Sequence, residues 1–323
     1  MNQLPSAVPT DEPVVAWVTW PDLVAPPGVT LLSPADGPLT PELLDHITFY
    51  APTYLGGRAA LEPASRMPRL RVLQLPNAGY DNAVEFLRPG VTLCNARGVH
   101  DESTAELAVG LALANRRGFA TFTRNQLHGT WQHEQRPSLT DSRIAVVGHG
   151  SIGRTVHRML GGFDVTIVLF SRSGRDGAQP VERLPELIGS FDVVILVLPL
   201  TAETTGMFGA ELLGRMKDGA LLVNVARGGV VDTPALLAEL TAGRLAAALD
   251  VTDPEPLPGD HPLWHAPNCL ITPHVGGDTT AFEPRERPNP DPAGAPVPGR
   301  SAGERRHGGI LRCALTRTTT YGT

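Results

Sequence analysis

"RIAVVGHGSIGRTVHRML" occupies residues 143–160. An apolar run at 144–147 meets Gly148, Gly150 and Gly153 and passes directly into a segment with helical patterning. The spacing G-x-G-x-x-G is weak evidence alone, because glycine is common in turns, but between a strand and a helix it is specific. There the first glycine permits a tight turn, the second lets a pyrophosphate approach the backbone, and the third lets helix and strand pack closely. The free N–H groups at the helix start then face the phosphates. The stretch therefore predicts the first unit of a doubly wound parallel sheet, holding a dinucleotide on Gly148, His149, Gly150, Ser151, Ile152 and Gly153. A purely structural glycine turn is the alternative.

Working outward, short apolar runs alternate with helix-like segments, the pattern of an α/β protein. Strands are expected at 14–18, 47–50, 72–75, 91–95, 144–147, 165–169, 193–198, 220–225, 246–249 and 269–271. Between the two sets lies "DESTAELAVGLALANRR", 101–117, an almost wholly apolar helix opening with Ser103 and Glu106 at capping-box spacing. It is expected to be buried and to join two domains.

A chain of 323 residues fits two domains better than one core. No apolar run reaches the roughly 18 to 20 residues that span a bilayer, and the N-terminus lacks a basic region followed by an apolar one, so a cytoplasmic location is expected. Cys94, Cys269 and Cys313 are odd in number and far apart, which fits neither a disulfide framework nor a C-x-x-C metal site. A net charge of -6 without a basic cluster before the tail argues against nucleic acid as a partner, and the lack of a long apolar run argues against a membrane one. Small anionic substrates stay compatible with it.

The strand after the glycine loop, "VTIVLFSRS", ends in Ser171, Arg172 and Ser173, with Arg175 beyond. NAD sites place an acidic residue there for the ribose hydroxyls; hydroxyls and a guanidinium instead welcome a 2′-phosphate. NADP(H) is the favoured cofactor and NAD(H) the second choice, the bland alternative being solvated loop residues. Three further stretches fall at strand ends, where open α/β sheets place ligands: "VNVARGGVVD", "ALDVTDPEPLP" and "ITPHVGG". They offer Arg227, Glu255 and His274. Reducing a carbonyl by hydride needs a proton donor, a cation to hold and polarise an α-keto acid, and an anion that keeps the donor charged. Singly, each residue also has an ordinary reading: a solvated strand end, a turn between two prolines, a core histidine.

In series, these blocks resemble the D-isomer-specific 2-hydroxyacid dehydrogenase family, which includes phosphoglycerate dehydrogenase and the glyoxylate and hydroxypyruvate reductases. The resemblance is strong over 70–282, weak over 10–69 and absent from the tail. It implies a Rossmann cofactor domain at 99–280 and a smaller flavodoxin-like substrate domain at 1–98, with substrate in the cleft between them. Hydride would pass between C4 of a nicotinamide and C2 of a small 2-keto or 2-hydroxy acid.

The resemblance further implies that Arg227 binds substrate and polarises its carbonyl, that His274 is the acid/base and that Glu255 is its carboxylate partner. Asn77, Ala78 and Gly79, in "NAGYDN", would hold the substrate carboxylate through backbone N–H groups, the alternative being a simple Asn-Ala-Gly turn before a helix capped by Asp81. Thr104, Pro199, Thr201, Ala226 and Asp250 would line the cofactor, Asp250 accepting from its carboxamide. Trp131 and His100 are either site-lining or packing residues. Ser171 replaces the Asp common in NAD-dependent members, and Glu255 replaces the glutamine of the formate dehydrogenase branch, favouring hydroxy acids over formate. The resemblance and the apolar helix after Ser103 lead us to expect a homodimer. The rival reading is a dinucleotide-sensing interaction protein like the C-terminal binding protein corepressors, which share this fold.

After "TPHVGGDTTAFEPR" the family continues with a long amphipathic helix that completes the substrate domain. Here Pro284, Pro288, Pro290, Pro292, Pro296 and Pro298 alternate with Arg and Gly, and each proline in a helix interior costs about 3 kcal/mol. A disordered 283–323 tail is expected, arising from a shift of reading frame near Arg285 and impairing activity; the alternative is a natural disordered extension, disfavoured because it would leave an apolar face of the substrate domain uncovered.

Overall fold

The structure, a computed structural model, describes residues 13–286. The chain divides into two units, one of residues 13–96 with 284–286 and one of Arg97–Glu283. The first contains strands β1 (Val14–Trp17), β2 (Val29–Leu32), β3 (Phe49–Tyr50), β4 (Val72–Gln74) and β5 (Thr92–Cys94). All pair in parallel, in the order β2-β1-β3-β4-β5, which is the flavodoxin-like arrangement. Neighbouring residues point to opposite faces: Tyr50 joins a cluster with Ile47, Met67 and Leu73, and Phe49 joins one with Ala16, Val18 and Trp20.

The second unit contains β6 (Arg143–Val147), β7 (Thr166–Ser171), β8 (Gln179–Pro180), β9 (Val193–Leu196), β10 (Leu221–Asn224), β11 (Ala246–Leu249) and β12 (Cys269–Ile271). They form one parallel sheet in the order β12-β11-β10-β9-β6-β7-β8. The winding reverses between β6 and β9, so the loops leaving those strands part and open a crevice. Alternation supplies both covers. Ala145, Val147, Val194 and Leu196 enter one core cluster, while Ile144, Val146, Val193 and Ile195 enter the other. That is why β9 reads as an unbroken apolar run rather than an alternating one.

Two strands were not expected. β2 follows Pro26, Pro27 and Gly28, and β8 is a two-residue edge strand that includes Pro180, tolerable only at an edge. The capping box at Ser103 does not form. The helix Asp101–Arg116 starts after His100, and Ser103 lies buried inside it with its hydroxyl 2.8 Å from that of Thr279. Asp101 and Glu102 supply the negative charge that the first turn favours. Ala105, Ala108, Val109, Leu111 and Ala112 pack into the core of their own unit, so this apolar face is covered within the unit. A group of exposed apolar residues sits just beyond: Phe119 and Leu127 at the ends of the helix Phe119–Leu127, then Trp131, which is 99% exposed.

The helix Phe282–Glu286 includes Pro284 in its first turn, where a missing N–H breaks no intrahelical bond. The chain therefore stays helical slightly past the point where the tail was expected to begin. The rest of that tail, with the proposed frame shift, lies outside the described residues. Among the described residues no helix is long and apolar enough to cross a membrane, and no cluster of His, Cys, Asp or Glu is placed to hold a metal ion.

Candidate active site

The glycines of 148–153 have three different physical reasons. Gly148 has φ +116, and a Cβ there would lie 2.4 Å from the Val197 carbonyl oxygen, at the crevice between β6 and β9. A Cβ on Gly153 would lie 1.9 Å from the Gly148 carbonyl oxygen, whereas one on Gly150 would meet nothing within 4 Å. Gly148 and Gly153 thus serve the turn and its packing, and Gly150 leaves open space at the start of the helix Ser151–Leu160. That open backbone at a helix N-terminus suits a pyrophosphate. His149, Ser151 and Ile152 beside it are half-buried.

At the end of β7, Ser171 Oγ accepts the Gly174 N–H at 3.0 Å and shapes the turn, leaving Arg172 and Ser173 exposed. After β9, Thr201 Oγ1 donates to Glu203 at 2.7 Å. That bond, foremost, and Arg172 more weakly hold the Glu203 carboxyl below its ordinary range. Thr204 pins the same loop, donating from its hydroxyl to the Pro199 carbonyl at 2.7 Å and accepting the Thr201 N–H at 2.8 Å.

The end of β10 is shaped by Asn224, almost fully buried, which accepts from the Ala226 N–H at 3.0 Å and donates to the Arg227 carbonyl at 2.9 Å. Half-buried Arg227 follows, one guanidinium nitrogen donating to the Ala226 carbonyl at 2.8 Å. A Cβ on Gly228 would lie 1.9 Å from the Thr252 carbonyl oxygen. The ARGG loop can therefore lie flush against the loop that carries Glu255.

His274 Nδ1 and Glu255 Oε1 are 2.5 Å apart. The bond to Glu255 is the main reason the His274 pKa is raised, against burial and the Arg227 charge, which lower it. For Glu255, burial pushes upward, but the His274 bond and charge, a Thr252 backbone bond and Arg227 together hold it below the carboxylate range. Both side chains keep substantial exposure, 45% and 38%, so solvent screens the pair. The result is an imidazole whose protonated form the glutamate favours, against burial and the charge of Arg227.

His274 has φ +55, uncommon for a residue with a side chain. Its N–H donates to the Asp250 carbonyl at 2.8 Å. The buried Asp250 carboxylate accepts from Thr272 Oγ1 at 2.6 Å and from the Val275 and Gly276 N–H groups at 2.9 Å each. Asp250 therefore clamps the loop that presents His274, and Thr104 Oγ1 adds a 3.3 Å bond to the Gly276 carbonyl. Sequence reasoning missed Thr272 and Asn224, although T-P-H and N-x-A-R each place a polar residue beside a site block. His100 is a packed residue: it is 5% exposed, stacks on Phe282 and has Nδ1 3.2 Å from the Gly277 carbonyl.

Asn77, Ala78 and Gly79 belong to the other unit and follow β4. The Asn77 carbonyl accepts the Ala96 N–H at 3.0 Å, and the Ala78 carbonyl accepts from Asn95 Nδ2 at 2.7 Å. These bonds fix a half-exposed loop by its carbonyls.

Residues 109–276 match the model of the D-isomer specific 2-hydroxyacid dehydrogenase NAD-binding domain. A glyoxylate reductase from Pyrococcus furiosus is 36% identical over 251 residues, covering 72% of this chain and 74% of that protein. Among solved structures, an NADPH-dependent glyoxylate/hydroxypyruvate reductase from Sinorhizobium meliloti, in complex with NADP and sulfate, superposes with a TM-score of 0.70 at 25% identity, covering 84% of this chain and 90% of that one. An NAD-dependent formate dehydrogenase from Staphylococcus aureus, in complex with NAD, does so with 0.64 at 27%, covering 84% and 91%.

Proposed function

Because the chain belongs to the D-isomer specific 2-hydroxyacid dehydrogenase family, and is an NAD(P)-dependent oxidoreductase acting on CH–OH groups, we propose that it reduces a small 2-keto acid of the glyoxylate or hydroxypyruvate kind. His274, Glu255 and Arg227 are its working groups. The observation that carries this reading is the 2.5 Å His274–Glu255 bond within reach of the Arg227 charge.

A bound nicotinamide cofactor supplies the hydride to C2 of the keto acid. Gly148, His149, Gly150, Ser151, Ile152 and Gly153 hold its pyrophosphate, with Thr104, Pro199, Thr201, Ala226 and Asp250 beside it. Arg227 binds the substrate and neutralises charge that develops on the carbonyl oxygen. His274 delivers its proton to that oxygen, and Glu255 keeps the imidazole charged until it does. Backbone N–H groups of Asn77, Ala78 and Gly79 hold the substrate carboxylate. With no carboxylate at Ser171 and a guanidinium at Arg172, NADPH is preferred to NADH. The chain self-associates through the exposed Phe119, Leu127 and Trp131.

The test is spectrophotometric: oxidation of NADPH and NADH with glyoxylate, hydroxypyruvate and pyruvate. We expect turnover, faster with NADPH, and a loss on the order of 10² to 10⁴ in His274→Ala with cofactor binding nearly intact. Ser171→Asp with Arg172→Ile should reverse the cofactor order. No oxidation with any of the three acids would overturn the substrate class, and an unaffected His274→Ala would remove the histidine from the mechanism.

A further inference from the structure

The helix Asp101–Arg116 opens with a carboxyl group that the chemistry above leaves unused. Asp101 lies close enough to the Ser151 side chain, at the start of the helix Ser151–Leu160, for that hydroxyl to favour its ionised form, and the next residue, Glu102, is bonded to Arg158 of the same helix. It is thus a carboxyl group beside the first residue of the phosphate-facing helix. Its Oδ1 is buried without a hydrogen-bond partner. Buried polar oxygens are ordinarily paired, and an ionised one left alone is costly.

The charged groups around it do not resolve that cost. Arg97 precedes the helix and favours the anion, while Glu102, the next residue, opposes it. From the facing helix, Arg158 is committed to Glu102, with bonds of 2.6 and 2.7 Å, and Arg154 turns to the His149 carbonyl at 3.4 Å. Burial dominates and pushes the Asp101 carboxyl above its ordinary value, ahead of the Ser151 hydroxyl, Arg97 and the Gly98 backbone, which pull it down. An acid in a first helical turn also complements the helix dipole, but that role favours a lasting anion and needs no proton.

We propose that Asp101 makes dinucleotide binding proton-coupled: its ionised form opposes the diphosphate drawn to the helix start at Ser151, and binding is completed by uptake of one proton from solvent onto the carboxylate. This rests on the reading that residues 148–153 hold the dinucleotide. Protonation turns the carboxylate from an anion facing an anion into a hydrogen-bond donor. No redox step is involved, so the coupling is visible in binding alone.

NADH is the appropriate probe, because it lacks the 2′-phosphate, a monoester whose second ionisation falls at roughly pH 6. Its dissociation constant is measured across pH by nicotinamide fluorescence, and proton uptake by calorimetry in buffers of different ionisation enthalpy. We expect net uptake, with affinity falling by up to about tenfold per pH unit once Asp101 ionises. Asp101→Asn keeps the size and one oxygen of the side chain while removing its charge. It should flatten the profile and bind NADH on the order of tenfold tighter at the alkaline end.

Binding without proton uptake at any pH, or uptake that survives in Asp101→Asn, overturns the inference alone. Failure of the chain to bind NADH or NADPH at all overturns the dinucleotide reading and the inference with it. Should Asp101→Asn not fold, Ser151→Ala decides. Losing the hydroxyl that favours the anion should move the onset of the affinity loss to higher pH, and an unmoved onset counts against the inference.

Discussion

Gly228→Ala is the substitution with the most defined geometric consequence. The new Cβ would lie 1.9 Å from the Thr252 carbonyl oxygen and 2.1 Å from its carbon, whereas real Cβ contacts essentially never fall under 3.0 Å. Both obstacles are backbone and cannot rotate away. The two loops must therefore separate by roughly 1 Å, and a misplacement of that size at a reacting centre costs on the order of 10²-fold in rate. Arg227 is the adjacent residue, and Glu255 lies three residues beyond Thr252, so the displacement falls between the arginine and the His274–Glu255 pair. Steady-state kinetics with the keto acid should show kcat/KM reduced about 10²-fold, while NADH or NADPH affinity, read by fluorescence, changes little. Gly229→Ala is the internal control: its Cβ would meet nothing closer than Leu200 at 3.5 Å, an ordinary contact. A Gly228→Ala enzyme within about threefold of the parent, or a Gly229→Ala enzyme equally damaged, would refute the reasoning.

Three other outcomes follow from the same geometry. Glu255→Gln removes the anion that foremost raises the His274 pKa; since the proposed reduction uses protonated His274, the pH above which the rate falls should move downward, and an unmoved pH profile would exclude the pair from the mechanism. Gly150→Ala should fold normally, having open space, yet weaken dinucleotide binding, whereas Gly153→Ala, 1.9 Å from the Gly148 carbonyl oxygen, should lower the melting temperature; calorimetry and fluorescence titration would separate them, and equal effects would contradict the division of roles. Leu127→Asp with Trp131→Asp, at 79% and 99% exposure, should yield a monomer by sedimentation velocity with little loss of thermal stability, as exposed changes usually stay within about 0.5 kcal/mol; a parent chain already monomeric would refute that surface.

The features readable in the sequence were those whose cause is local. A strand buried on both faces announces itself as an apolar run, as β9 does, and the glycine spacing at 148–153 reports a turn and its packing together. β2 and β8 were not readable, because a short strand beside two prolines and a two-residue edge containing Pro180 derive their order from neighbours across the sheet. The helix start at Asp101 was misplaced for a related reason. Ser103 has the residue type of a cap, but its hydroxyl is claimed by Thr279, 176 residues away. At the candidate site the chemical groups could be named from their blocks. The left-handed conformation of His274 and its clamp by Asp250 could not, since both depend on three backbone N–H groups and a hydroxyl converging on one residue.

The order of the larger sheet has an evolutionary consequence. Arg172 lies at the end of β7, on one side of the reversal at β6, while Arg227, Asp250, Glu255 and His274 all follow β10, β11 and β12 on the other. The residues proposed to tell one dinucleotide from another thus share no strand, loop or clamp with those proposed to move the proton. Mutations in the two groups should be close to additive. Such a scaffold can exchange its source of reducing equivalents in a few steps without re-optimising its acid, and a laboratory selection for a new cofactor can confine its diversity to 171–175 and 201–204.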